Sequence, residues 1–264
     1  MQNLLRAVWM YRHFIVSSIR NDLKMRFARS KLGGLWMILQ PLAQVAIYAV
    51  VLSRIMGSRL PGTDNRYAYV IYLIAGMVAW SLFAETVTRC LTIFVDNGNL
   101  LKKIVFPRIS LPLIVGGSAL VSNVLLLVAA VGVFLIVGHM PTLSMFWLLV
   151  LIPVNLAFSI GLGLTLGVLN VFVRDIGQVM TVILQLWFWM TPIVYMPTIL
   201  PEQFQGLIHL NPMYYIASGF QDVLLYGKAP QLDHLAYIAA GSVLLLGLSM
   251  FLFRRANAEM VDVL

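Results

Sequence analysis

Residues 109–173 read ISLPLIVGGSALVSNVLLLVAAVGVFLIVGHMPTLSMFWLLVLIPVNLAFSIGLGLTLGVLNVFV, sixty-five consecutive positions without an Asp, Glu, Lys or Arg. A soluble globular chain carries about 25% charge, so a run this long has no place in a water-soluble fold. It is long enough for two helical crossings of about 20 residues each and a turn between them. His139, Pro141 and Thr142 supply that turn.

Outward from this stretch the pattern repeats. Leu32 to Ser53, Tyr67 to Ala84, Ile176 to Pro201, Gln203 to Gln221 and Leu235 to Phe253 are also uncharged, and the whole chain of 264 residues is 61% apolar and 11% charged. The short alternation of apolar and polar residues that marks an outer-membrane barrel is absent, so the expected fold class is an all-α membrane protein. Six spans are expected, at about Leu35 to Ile55, Tyr69 to Phe94, Leu111 to Val137, Met145 to Phe172, Val179 to Tyr195 and Tyr237 to Phe253. Tilt or a kink is expected in the fourth, at Pro153. Residues 198 to 232 contain Pro201, Pro212 and Pro230 and apolar pieces too short to cross. They suit short re-entrant or capping helices between spans five and six.

The basic residues orient this arrangement. Seven Lys or Arg precede the first span, three lie in 95 to 108, one is Arg174 and two are Arg254 and Arg255, against Arg59, Arg66 and Lys228 on the other side. That bias places both termini in the cytoplasm. The formal charge of +8 therefore reads as topology, and no nucleic acid is expected as a partner. No cleavable signal peptide is expected, because the first 31 residues are strewn with basic side chains.

Leu4, Val8, Tyr11, Ile15 and Ile19 recur at three- and four-residue steps over residues 3 to 24 and predict an amphipathic helix. It suits the headgroup plane, or packing on a partner or on the bundle. Within the second span Glu85 and Arg89 stand four apart, so they can pair on one face as an intramembrane ion pair, structural or functional. Ser159, Gly163 and Gly167 make a small-residue stripe that admits another helix closely. Trp187, Phe188, Trp189 and Tyr195 crowd the fifth span, as anchors at a headgroup boundary or as the wall of a passage for sugars.

Several functions lose their basis. The single Cys90 excludes an intrachain disulfide, no phosphate-cradling Gly-rich loop is present, no zinc-protease His pair occurs, and no nucleophile stands with a base. No metal, cofactor or catalytic residue is expected in this chain. In 95 to 108, a short apolar helix carrying Lys102 and Lys103 is set between polar breaks and Pro107, and Leu100, Leu101, Ile104 and Phe106 need a surface to dock on. A separate soluble ATPase is the economical partner. A secondary transporter using Glu85 as its coupling site is the alternative from a different class.

RNDLKMRFARSKLGGLWMILQP at 20–41, NGNLLKKIVFPR at 97–108, RDIGQ at 174–178, TPIVY at 191–195 and LNP at 210–212 together resemble the membrane subunit of polysaccharide-exporting ABC transporters, nearest the O-antigen branch. Capsule or teichoic acid export stays open within that family. The resemblance implies a homodimer in the bacterial inner membrane with two copies of an ATPase that binds Mg-ATP. It implies a cytoplasmic gate helix and basic linker over 1–31 and a six-span domain over 32–264, with a coupling helix at 95–108 and a periplasmic re-entrant segment at 198–232. Asn97, Leu100, Leu101, Lys102, Lys103, Phe106 and Arg108 would then meet the ATPase. The cargo implied is polysaccharide linked through pyrophosphate to undecaprenol. Arg20, Lys24, Arg26, Arg29 and Lys31 could hold its phosphates, or could serve topology and contact with anionic membrane lipids alone.

Overall fold

The computed structural model describes residues 9–27, 31–56, 67–98 and 110–263. Its organising element is the helix Ala68–Asp96, whose apolar residues run all the way around it. A helix of that kind must be enclosed on every side, and Ile71, Leu73, Val78, Phe83 and Val87 are completely or almost completely buried.

Nine α-helices are present among the described residues. In chain order they are α1 (Arg12–Phe27), α2 (Trp36–Met56), α3 (Ala68–Asp96), α4 (Ser110–Ile136), α5 (Leu148–Phe172), α6 (Asp175–Met190), α7 (Glu202–Ile208), α8 (Pro212–Gln221) and α9 (Leu232–Val263). A 3-10 segment, Leu143–Trp147, leads into α5, and a π-helical turn, Asp222–Tyr226, follows α8. Helices α4, α5, α2 and α8 surround α3, while α9 packs along α5.

Small residues and buried amides set these packings. A Cβ on Gly163 would stand 2.7 Å from Cβ of Cys90, and one on Gly167 would collide with the Cys90 carbonyl. The stripe expected from the sequence thus brings α5 against α3 of the same chain. Gly161, on another face of α5, lies as closely against Leu245 of α9. Three asparagines then fix α3: Asn123 donates to the Val78 carbonyl at 2.8 Å, Asn155 to that of Ala79 at 2.9 Å and Asn170 to that of Leu91 at 3.1 Å. An interhelical hydrogen bond in a membrane is worth about 0.6–2 kcal/mol. Three of them on one helix define its depth and rotation.

The expectation of six spans is corrected. Among the described residues four helices are long and apolar enough to cross a membrane: Ala68–Asp96, Ser110–Ile136, Leu143–Phe172 and Leu232–Ala256. The helix at the expected first span, α2, is not among these four. The fifth has a clear physical cause. The expected span extends to Tyr195, but α6 stops at Met190 after 16 residues, about 24 Å at 1.5 Å per residue, against a hydrocarbon core of about 30 Å. Thr191 precedes a proline and is extended, as that position requires. Hydropathy registers the absence of charge; it does not register where the helix ends.

The turn after α6 is apolar and buried, so its backbone needs partners within the protein. Tyr69 donates to the Val194 carbonyl at 2.7 Å, Tyr72 to those of Pro192 at 2.8 Å and Tyr195 at 3.1 Å, and Gln221 to that of Pro192 at 3.2 Å. Nearby, Asn211 caps α8 by accepting from the Met213 N–H at 3.0 Å, with Pro212 at the first helical position.

Candidate functional site: a polar groove beside a four-charge cluster

The stripe of α1 does not stop at Ile19. Ile15 is buried, Ile19 lies against Gly117 of α4, and Asp22 and Arg26 continue the same face at three- and four-residue steps. There they meet Glu85 and Arg89 of α3. Arg26 Nη1 stands 2.6 Å from Glu85 Oε1, Arg89 Nη2 2.8 Å from Asp22 Oδ2, and Arg26 Nε 3.3 Å from the same Asp22 oxygen. Glu85 and Arg89 themselves are 3.7 Å apart. The shortest pairs therefore cross between helices, and Arg89 also donates to Ser118 of α4. Two cations and two anions make the cluster neutral, and about a quarter of each side chain is exposed.

From this cluster a groove runs between α2, α3 and α4, and then between α3 and α6. Its first part, about 390 Å³, is lined by Arg26, Glu85, Trp36, Gln40, Trp80 and Asn123, among others. The second, about 450 Å³, shares Gln44, Met77, Trp80 and Ala84 with the first and adds Thr88, Thr181, Gln185, Phe188 and Trp189. A third recess, about 630 Å³ between α5, α8 and α9, is different in kind: Phe158, Ile238, Leu244 and Leu245 line it, with Tyr215 and His234 stacked at 4.2 Å on its rim.

The residues singled out in the sequence fall in several places. Arg20, Lys24 and Lys31 are exposed, whereas Arg26 faces two carboxylates. Arg29, Leu100, Leu101, Lys102, Lys103, Phe106 and Arg108 lie outside the described residues; Asn97 closes α3 and donates to the Ile93 carbonyl at 2.8 Å. Of the four aromatics, Trp189 is exposed on the groove and Phe188 is buried beside it, 5.5 Å edge-on from Trp80. Trp187 packs on Phe83 at 5.1 Å and donates to Asn211 Oδ1 at 2.8 Å, and Tyr195 donates to the Trp189 carbonyl at 3.0 Å.

Sequence reasoning missed Asp22, Gln40, Gln44, Trp80 and Asn123. A signal existed for Asp22: it lies four residues before Arg26, the spacing that drew notice to Glu85 and Arg89, and it continues the apolar stripe. For the amides none existed, since a glutamine or asparagine in a hydrophobic run has no period of its own. No group of three or more His, Cys, Asp or Glu placed to hold a metal occurs among the described residues.

Several long apolar helices packed around one central helix define a multi-pass all-α membrane protein. Residues 13–225 match the ABC-2 type transporter family, and the chain belongs to that family. It is a membrane permease related to the O-antigen and capsule export branch. The O-antigen export system permease protein RfbA of Myxococcus xanthus is 29% identical over 268 residues, 99% of each chain. The protein of that name from Klebsiella pneumoniae is 28% identical over 95% of this chain and 94% of its own. The polysialic acid transport protein KpsM of Escherichia coli is 21% identical over 91% and 92%.

Proposed function

We propose that the chain is the permease subunit of an ATP-driven exporter that moves undecaprenyl-pyrophosphate-linked O-antigen from the cytoplasmic to the periplasmic side of the inner membrane. The observation that carries this reading is similarity over almost the full length of permeases named for O-antigen export. The groove supports it, because a passage walled by indoles, amides and hydroxyls suits a hydrated polymer better than an ion.

In this reading two copies of the chain pair and two copies of a soluble ABC ATPase dock on the cytoplasmic side. The ATPase binds Mg-ATP and performs the hydrolysis, and no covalent chemistry falls to this chain. Residues 97–108 receive the ATPase stroke through Leu101 and Phe106. Arg20, Lys24, Arg29 and Lys31 meet the pyrophosphate or the anionic headgroups around it, while α1 guards entry. The basic residues at both ends of the chain set the cytoplasmic side. A secondary transporter using Glu85 is disfavoured, because that carboxylate is engaged by Arg26 and Arg89 rather than standing alone.

The test is co-purification with a candidate ATPase in mild detergent and measurement of hydrolysis, with and without Leu101→Asp and Phe106→Asp. Both changes are expected to weaken the complex and to cut stimulated hydrolysis about ten-fold, some 1.4 kcal/mol. An unaltered complex would overturn the coupling assignment. Deleting the gene should leave lipid-linked glycan inside the cell, and normal surface polysaccharide would overturn the export reading.

A further inference from the structure

The 630 Å³ recess between α5, α8 and α9 changes character along its length. On α9 its wall is one helical face, His234, Tyr237, Ile238, Gly241, Leu245 and Leu248, at three- and four-residue steps. From His234 to Leu248 that face runs about 21 Å at 1.5 Å per residue, against about 15 Å for half of a hydrocarbon core of about 30 Å. Because the crossing part of α9 begins at Leu232, the recess covers one leaflet and opens into its headgroup layer. Its edges, Tyr237 and Leu244, are exposed, whereas Phe158 and Ile238 form a buried floor. A Cβ on Gly241 would meet nothing within 4 Å, so the space above that glycine is open.

An apolar hollow facing lipid leaves its lining without contact partners, and water gains nothing there. A hydrocarbon chain supplies those contacts. The headgroup end asks for something else. Tyr215 and His234 stack there, and His209 lies beside them with its Nδ1 3.2 Å from the Tyr215 hydroxyl. That hydroxyl gives its one hydrogen to the His209 carbonyl at 3.1 Å, so Nδ1 is the donor to it. The His234 Nδ1 likewise donates, at 2.7 Å, to Gln231 Oε1, which can only accept. Each ring is left with Nε2 to offer, and an imidazole protonated on both nitrogens donates from it to a phosphate oxygen. Imidazoles and tyrosines at one end and an apolar slot along the rest match an amphiphile with a phosphate head. An undecaprenyl tail is much longer than this slot, whereas an acyl chain spans the one leaflet that the slot covers.

We propose that the recess holds one glycerophospholipid, with an acyl chain laid along α9 over Gly241 and the phosphodiester at His209 and His234. The inference goes beyond the export reading and needs neither its cargo nor its ATPase. The bound lipid is a structural partner that fills the join between α5, α8 and α9 on the side away from the polar groove.

The experiment is native mass spectrometry of the purified full-length chain, released from mild detergent with dioleoyl-phosphatidylglycerol as the probe. One lipid per chain should be retained. Gly241→Phe, which fills the open space, should cut the retained fraction about ten-fold with thermal unfolding unchanged, while Val128→Phe on the exposed face of α4 should leave it alone. His209→Ala combined with His234→Ala should cut it about three-fold, which tests the site without touching the helix packing. Dioleoylglycerol, with the same chains and no phosphate, should be retained less. Absence of a retained lipid, equal retention by wild type and Gly241→Phe, equal retention of dioleoylglycerol, or displacement by an equal amount of undecaprenyl phosphate would each overturn the site. A changed oligomeric mass in Gly241→Phe would overturn it too, by giving the recess to a second copy of the chain. No ATPase or polymer is present, so a failure here removes the lipid site and leaves the permease reading to its own test.

Discussion

The start and the second half of α3 are tied to the rest of the chain by opposite chemistry. Near Tyr69 the fastenings are neutral and buried: two tyrosine hydroxyls, Gln221 and the Asn211 side chain hold the turn that follows α6. At Glu85 they are ionic and partly exposed, and they hold the amphipathic helix α1. A buried neutral hydrogen bond is costly to break because its atoms find no water afterwards. An ion pair with about a quarter of each side chain exposed stays in reach of water and salt, which screen it. The first set of fastenings should ignore salt, and the second should respond to it.

The largest effect should come from the neutral end. Asn211→Ala would strand the Trp187 indole N–H and the Met213 N–H, which now donate to its Oδ1 at 2.8 and 3.0 Å, and would remove the donor that Thr191 Oγ1 accepts from at 2.9 Å. Stability should fall by about 3 kcal/mol and Tm by roughly 6–12 °C, read by thermal unfolding in nanodiscs. A change under about 2 °C would mean that the fastening is ornamental.

The charged end should respond less, and to salt. A double-mutant cycle with Arg26→Gln and Glu85→Gln should give a coupling of about 1 kcal/mol at low ionic strength. Raising salt to about 0.5 M should reduce it by roughly half, with proteolysis within α1 rising in parallel. Tyr72→Phe, at the other end, should be indifferent to salt. Equal salt sensitivity at both ends would dissolve the distinction.

The smallest expected effect sharpens the account of the neutral end. Asp222 opens the π-helical turn, and burial raises its carboxyl above the usual range while Lys228 opposes the shift. Because the folded state favours the protonated acid, wild-type stability is greatest below the unfolded pKa and declines as pH rises through the folded one. Asp222→Asn should therefore raise Tm by ~1–3 °C at pH 8, and the gain should vanish in acid. A gain independent of pH would point to a cause other than the charge.

Much of the candidate site was legible in outline. Glu85 and Arg89 stand out as ions in an apolar run, and the three-and-four spacing over residues 3 to 24 marks an apolar stripe without saying whether headgroups or the bundle meet it. What stayed hidden was the choice of partner. Glu85 and Arg89 share a helix at a favourable spacing, yet each finds a shorter contact on α1, because Ile15 and Ile19 seat that helix on α4 and bring Asp22 and Arg26 within reach. The aromatic cluster divided similarly: three consecutive rings offer no distinction in sequence, but Asn211 and Phe83 take Trp187 into the packing while Trp189 stays at the groove.

By itself the sequence determined that this chain lives in a membrane as helices, since long uncharged runs have one stable environment and one stable backbone form within it. It also carried the family likeness, spread over pieces that are each short. Only the tertiary structure decided how many helices are long enough to cross, where α6 ends, and which charges of α1 and α3 meet. Those outcomes depend on contacts between residues such as Tyr72 and Pro192, 120 positions apart, and hydropathy measured along a chain contains no information about what lies across it.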